Sequence, residues 1–553
     1  MIGVTMTFGN AALYFDPEGY SISGPKLMGR NAAGHGFLNG LFRHAKVDHF
    51  TAFTDQPTSF RAFKSMAAEA GAHAPVQEIQ KASMGKLAEA GCVFYPGPGL
   101  GLHAWERELF GSRAWSLCGI THTTLSGRAM DGIAGVLTEP LYPWDALICT
   151  SRAVRDTVRS VLEAQGDYLA ARLGATRFPM VKLPVIPLGV ECDQFLYSDA
   201  ETAKARTELG ITSDETVILF VGRLSFHAKA HPIAMYQALE KAAAGRKITL
   251  IECGWFANDA LEDAFEKTAA AVCPNIRRIV LDGRIAEERR KAWGAADIFC
   301  SLSDNLQETF GITPIEAMAR GIPVVVSDWD GYRDTVRDGV DGFRIRTAMP
   351  SSGFGNNLAA RHALGLDTYD QFCGLTSQFV AVDSEQTAEI MIRLSDSPAL
   401  RKEIGANGRA RARDHFDWAC IIPRYQSLWA ELAEERRSAP EFDIGKRQMA
   451  GWPARMDPFR SFASYASMSI TGATHLLRIT DMTADKIADL RKLPSFPLLD
   501  RSLPSHPEVM AFLERIPGDT PRSLAEICHP AEISQISVAI VAWALKIGAV
   551  RVT

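Results

Sequence analysis

Short apolar runs alternate with longer amphipathic stretches along most of this chain. In the first part, runs at 49–53, 92–95, 117–120, 146–149 and 183–186 are short enough for strands, and helical patterning such as 34–43 lies between several of them. Strands separated by helices predict a parallel sheet covered by helices. The alternation is cleaner from about residue 200, with buried strands expected at 217–221, 249–252, 279–281, 298–300 and 324–326, a Rossmann-like pattern. The stretch 349–380 reads as irregular before helices resume. In the last part Thr483 is placed to cap a helix carrying Ile487, Leu490 and Leu493, 507–516 reads as another helix, 533–547 is strongly apolar and 550–553 has the look of a terminal strand. The expected organisation is α/β: a Rossmann-like domain over 1–195, a second over 196–415, a closing helix over 416–435, a linker over 436–458 and a small, mainly helical module of winged-helix type over 459–553.

Composition narrows the class of protein without naming it. With 553 residues, 47% of them hydrophobic and 22% charged, the chain is an ordinary multidomain globular protein. A net charge of -5 gives no reason to expect nucleic acid or an acidic membrane as partner. The ten cysteines form no C-x-x-C pair, which fits buried thiols in a reducing compartment rather than a zinc site or disulfide framework. There is no signal-peptide pattern and no apolar run long enough to span a bilayer; the nearest, 536–550, is interrupted by Lys546. A cytoplasmic location is expected, with peripheral membrane contact left open.

The most informative stretch is 301–342, SLSDNLQETFGITPIEAMARGIPVVVSDWDGYRDTVRDGVDG. A polar loop follows the 298–300 strand, and a helix begins after Phe310-Gly311 with Pro314 in its first turn, where a missing N–H costs nothing. Gly321 ends that helix, and Glu308 and Glu316 bracket its start. Unpaired N–H groups at a helix start attract an anion such as a diphosphate, while flanking carboxylates accept hydrogen bonds from sugar hydroxyls. A phosphorylated, hydroxyl-rich ligand follows from that chemistry, although the E-x7-E spacing alone is equally a chance of composition.

The ordered context S-x6-E-x-F-G-x4-E-A-M-A-x-G-x-P-V-V, closed by Asp338 to Gly342, resembles the donor-site motif of the retaining family 4 glycosyltransferases (glycosyl transferases group 1). The resemblance covers about 1–435. It implies a GT-B fold, two Rossmann-like domains facing a cleft, and a nucleoside-diphosphate sugar as donor, with no cofactor and no essential metal. By resemblance Glu308 contacts the transferred sugar and Glu316 the ribose, with Phe310, Gly311 and Ile312 at the helix start beside the donor. Gly222-Arg223-Leu224 with Lys229 resembles the family's G-R-L-x4-K, which makes Arg223 and Lys229 the cations that neutralise the leaving diphosphate; Gly283 lies in a turn resembling the base-proximal one. Gly29, in the glycine-bearing loop 24–31, and His122, at a strand end, resemble residues near the donor phosphates and the sugar or acceptor. The chain departs from the family where Asp330-Gly331 and Asp334 replace a Gly-Gly pair and a glutamate. Asp328-Trp329-Asp330 reads as turn chemistry rather than a metal-binding D-x-D.

The implied activity is retaining transfer of a sugar to an acceptor hydroxyl of a glycan or lipid-linked glycan. Arg223, Lys229, Glu308 and His122 form the expected catalytic set. Two other readings compete: a GT-B sugar-nucleotide epimerase, which needs no acceptor, and a non-catalytic scaffold whose C-terminal module recruits a protein partner.

Overall fold

The computed structural model describes residues 9–21, 29–440, 452–528 and 533–553. It divides into two compact units, Met1–Trp452 and Pro453–Thr553.

The larger unit is built on two six-stranded sheets. The first comprises β1 (Ala12–Tyr14), β2 (Phe50–Thr54), β3 (Val76–Gln80), β4 (Cys92–Phe94), β5 (Ser116–Ile120) and β6 (Ala146–Ile148), in the order β3-β2-β1-β4-β5-β6. The second comprises β7 (Thr216–Val221), β8 (Ile248–Gly254), β9 (Arg277–Asp282), β10 (Ile298–Ser301), β11 (Val324–Ser327) and β12 (Phe343–Ile345), in the order β12-β11-β10-β7-β8-β9. Every pairing in both sheets is parallel. Read from opposite edges the two orders coincide, each reversing beside its first strand, and that is where doubly wound sheets place ligands. Valine- and isoleucine-rich strands such as β7 and β11 are buried along their whole length because helices cover both faces.

The run expected as a strand at 183–186 makes only isolated bridges to β6, Ala146 with Lys182 and Cys149 with Val185. Lys182 N–H donates to Asp145 O and Ile186 N–H to Cys149 O, but Pro184 between them has no N–H to continue the ladder. The helix expected from residue 34 begins earlier, as Gly29–His44. The stretch expected to be irregular at 349–380 holds two short helices, Asn356–Ala363 and Tyr369–Ser377, closed at the neck by antiparallel pairing of Thr347–Ala348 (β13) with Ala381–Val382 (β14). Phe372 and Cys373 of this insert pack on Leu125 of the first domain.

The chain returns to the first domain through helix Trp418–Ser438. Trp418 is buried in a notch floored by Gly40 and Gly189; a Cβ on Gly40 would lie 2.6 Å from the indole, so only glycine lets the two elements approach this closely. Gln426, fully buried, donates to the carbonyls of Gly9 and Lys46 and pins the same helix to the first sheet.

The smaller unit has three antiparallel strands, His475–Arg478 (β15), Arg522–Ser523 (β16) and Val550–Val552 (β17), in the order β16-β15-β17. The expected mainly helical module therefore also contains a sheet. Its strand at 475–478 is short, and its chemistry stands out little from the surrounding loop. Helices Ala484–Arg491, His506–Leu513 and Gln535–Lys546 enclose a core of Leu476, Val509, Leu513, Val541 and Trp543. Thr483 caps the first helix by accepting from Lys486 N–H, whereas Leu493 lies beyond the helix end and is exposed. Among the described residues, no helix is long and apolar enough to cross a membrane.

Candidate active site

Because both sheets are parallel, all their strand C-termini lie along one edge, and the two domains turn those edges towards each other. Thr309, in the loop after β10, donates to His122 O at 3.3 Å, and Thr150, beyond β6, donates to Thr309 O at 3.3 Å.

The loop 302–310 is held rigidly. Ser303 Oγ donates to Lys229 O at 3.1 Å, Asp304 Oδ1 accepts from His231 N–H at 3.2 Å, and Trp329 Nε1 donates to Asn305 O at 3.0 Å. These bonds lock the loop bearing Glu308 to the segment bearing Lys229. The result is a direct ion pair between Lys229 Nζ and Glu308 Oε2, with both side chains largely buried. Burial pushes the Glu308 carboxyl up, but the Lys229 charge and the N–H groups of Phe310 and Thr309 outweigh it and hold the carboxyl below its usual range.

Helix Ile312–Arg320 starts immediately after that pair. Its cap, Gly311, has φ 79°, and a Cβ there would lie 2.0 Å from the Tyr332 ring. Only glycine satisfies both conditions, and it lets the chain turn so that the helix's free N–H groups open beside Lys229 and Glu308. Tyr332 is fixed from below by a 2.9 Å hydrogen bond with Ser301 Oγ. The Phe310 ring is buried and meets Phe416 edge-on, while its backbone N–H donates to Glu308. Ile312 is partly buried at the helix start.

Glu316 lies one turn further along. Burial raises its carboxyl to about 7, partly offset by the charges of Arg289 and Lys229. Asp304 is also raised to about 7 by burial. Asp330 is pushed well up, first by burial and then by the Glu308 charge, and accepts from Ser151 Oγ at 3.3 Å. It has φ 42°, as its place in a turn requires. The site thus contains an ion pair, a helix start and several carboxyl groups whose pKa burial raises.

The remaining expected residues fall at different places. Gly283 is drawn to Gly254 by an N–H to carbonyl bond of 2.8 Å, and a Cβ on it would meet Gly254 Cα at 3.0 Å; this closes the turn after β9 tightly. Arg223, after β7, donates to Ala228 O at 3.4 Å, and its charge is felt by His227 and Tyr369. Lys229 is the cation paired with Glu308. His122 approaches the Glu308 loop through its carbonyl. Gly29 is exposed at the first turn of its helix; the preceding loop residues 24–28 lie outside the described residues.

Sequence reasoning missed Arg289, which donates to Gly283 O at 2.6 Å and brings a positive charge to Glu316. It sits in the run Glu287-Glu288-Arg289-Arg290-Lys291, which reads as a solvated helix face. Tyr369 of the insert was missed too, and its hydroxyl lies 3.5 Å from Thr123 Oγ1 across the cleft.

Two facing Rossmann-like domains with a site between their strand ends define the GT-B fold. Residues 201–351 match the family model for Glycosyl transferases group 1. The chain is similar to the D-inositol 3-phosphate glycosyltransferase of Nocardia farcinica, 30% identical over 174 residues, which cover 30% of this chain and 36% of the relative. It is 26% identical over 267 residues to an uncharacterized glycosyltransferase of Methanocaldococcus jannaschii, covering 45% of this chain and 62% of that one. The chain thus spans about a third to three fifths of these two relatives' own length. In fold it is similar to the crystal structure of Anabaena Alr3699/HepE in complex with UDP and glucose, at 16% identity and a TM-score of 0.50, covering 76% of this chain and 100% of that one.

Proposed function

We propose that this protein is a retaining, metal-independent glycosyltransferase of family 4, moving a sugar from a nucleoside-diphosphate donor to an acceptor hydroxyl on a glycan or lipid-linked glycan. The observation that carries the reading is the Lys229–Glu308 ion pair set at the start of helix Ile312–Arg320. A diphosphate entering there meets a lysine and a row of free N–H groups, a cationic and dipolar cradle for its charge. As Lys229 turns to the phosphates, Glu308 is released to accept hydrogen bonds from the sugar. Glu316, one turn on, is placed for the ribose hydroxyls, with Arg289 beside it.

In this reading catalysis is chiefly stabilisation of the leaving diphosphate by Lys229, Arg223 and the helix start. His122 approaches from the first domain, on the side open to the acceptor. Front-face attack with the leaving phosphate taking the acceptor proton accounts for retention. The UDP in the similar Anabaena structure makes uridine the first base to try. The experiment is product analysis after incubation with UDP-sugars and candidate hydroxyl acceptors. The expected outcome is acceptor-dependent release of UDP and a glycoside with the donor's anomeric configuration. Isomerised nucleotide sugar without transfer would replace this reading with an epimerase, and binding without turnover would replace it with a scaffold.

A further inference from the structure

A second charged pocket, of about 390 Å³, lies between the two domains beside Val185 and Pro187, on the segment that joins them, and is lined by arginines from both sides. Arg152 and Arg155 come from the start of helix Arg152–Leu173, Arg411 ends helix Pro398–Arg411, His415 follows it, and Arg424 projects from helix Trp418–Ser438. Asp334 is the sole carboxylate among the lining residues, and Arg152 already engages both of its oxygens, through its backbone N–H and Nε, each at 2.6 Å.

The other guanidinium groups lack a carboxylate of their own at hydrogen-bond distance. Arg411 donates to the carbonyls of Thr335 and Asp334 at 2.8 and 3.0 Å, with Asp341 at 3.7 Å. Arg424 donates to Val185 O at 2.8 Å. Arg155 Nε is buried without a hydrogen-bond partner, and Asp156 stands 3.8 Å from it. Burial lowers the pKa of both Arg411 and Arg424, as expected for cations desolvated without a full counter-charge. Four guanidiniums thus have one carboxylate at hydrogen-bond distance, Asp334, with Asp341 and Asp156 farther off, and an anion joining them would complete their neutralisation.

We propose that this pocket binds a small phosphate-bearing anion, separately from the donor site, and that the anion ties the two domains together beside the Val185–Pro187 segment. Guanidinium forks match phosphate oxygens in pairs, and arginines from opposite domains can share one phosphate. Helix Arg152–Leu173 adds the positive end of its dipole. The pocket also adjoins the donor loop: Thr150, which lines it, donates to Thr309 O next to Glu308. An anion here therefore steadies the cleft without touching the reacting groups.

The probe is inorganic pyrophosphate, titrated calorimetrically in saturating UDP, which occupies the diphosphate cradle of the donor site, into the full chain and into Arg155→Gln and Arg155→Lys. Arg155 is a half-buried residue in the first turn of its helix, away from the Lys229–Glu308 pair, so Arg155→Gln is expected to fold normally. The expected result is one pyrophosphate site in wild type, weakened about tenfold or more by Arg155→Gln, as for loss of one charge-assisted hydrogen bond, and largely retained by Arg155→Lys. UDP affinity should stay within about twofold in both variants. Pyrophosphate binding that is absent in wild type, or unchanged by Arg155→Gln, overturns the proposal. An Arg155-dependent pyrophosphate site in a protein that binds no nucleotide would uphold this pocket while removing the donor reading.

Discussion

The two Rossmann-like domains share one strand order but divide the work unequally. The second supplies the charged groups of the candidate site, Lys229, Glu308, Glu316 and Arg289 among them, and fixes its loop with the bonds of Ser303, Asp304 and Asn305. The first meets that site mainly through backbone, the His122 carbonyl, and through the hydroxyls of Thr123 and Thr150. Such a division suits a protein whose donor chemistry is fixed by one domain while the other is free to vary with the acceptor. It predicts that substitutions in the second domain damage nucleotide binding severely and those in the first hardly at all.

The largest effect is expected at Gly311. Gly311→Val places a branched side chain at φ 79° and against the Tyr332 ring, so the strained backbone and the overlap together should cost roughly 3 kcal/mol or more. Chemical denaturation should show that loss, with nucleotide binding abolished because the helix start can no longer open beside Lys229. Lys229→Ala comes next. Removing a hydrogen bond to a charged phosphate costs about 1.5–3 kcal/mol, or about ten- to a hundredfold in Kd by calorimetry.

Lys229→Ala should also change the response to acid. The Glu308 carboxyl is held below its usual range in the folded protein, so its contribution to stability is present above the unfolded pKa and is lost as pH falls through the folded one. Without Lys229 that contribution shrinks, and acid unfolding should begin at higher pH.

Glu316 offers a test with the opposite sign. Its carboxyl is raised to about 7 in the ligand-free protein, whereas in the proposed role it is the carboxylate form that accepts from both ribose hydroxyls. Nucleotide affinity should therefore rise severalfold between about pH 6 and about pH 8, and Glu316→Gln should flatten that rise while weakening binding. The same raised carboxyl costs folded stability as pH climbs from the unfolded value towards 7, so Glu316→Gln should be at least as stable as wild type at neutral pH. The smallest effect belongs to the first domain: His122→Ala should leave nucleotide Kd within about twofold, because the charged groups that meet the nucleotide come from the second domain and the Thr309 bond to the backbone carbonyl is kept.

The same contrast explains what the sequence disclosed. Strands β7, β8, β10 and β11 are long or fully buried apolar runs, and the site on them lies within one continuous segment, so pattern and motif agreed there. In the first domain β1 is only Ala12–Tyr14, and β3 is Val76–Gln80, an edge strand whose polar residues face solvent; neither carries a periodic signal. The insert 349–380 was illegible for a related reason: its helices bury little surface of their own and gain their packing from Leu125 of the other domain. Arg289 was hidden because a charge in a charged run acquires meaning only when β9 and its helix place it beside Glu316. Long-range placement, rather than local chemistry, is what sequence spacing could not express.

The most direct test of the account is calorimetric titration of UDP, GDP and ADP, then of their sugar conjugates, into wild type, Lys229→Ala and Glu316→Ala. The account predicts selective binding of one nucleotide, weakened in both variants, with folding confirmed by circular dichroism. No binding of any of them to well-folded wild-type protein would contradict it, as would a nucleotide site indifferent to both substitutions.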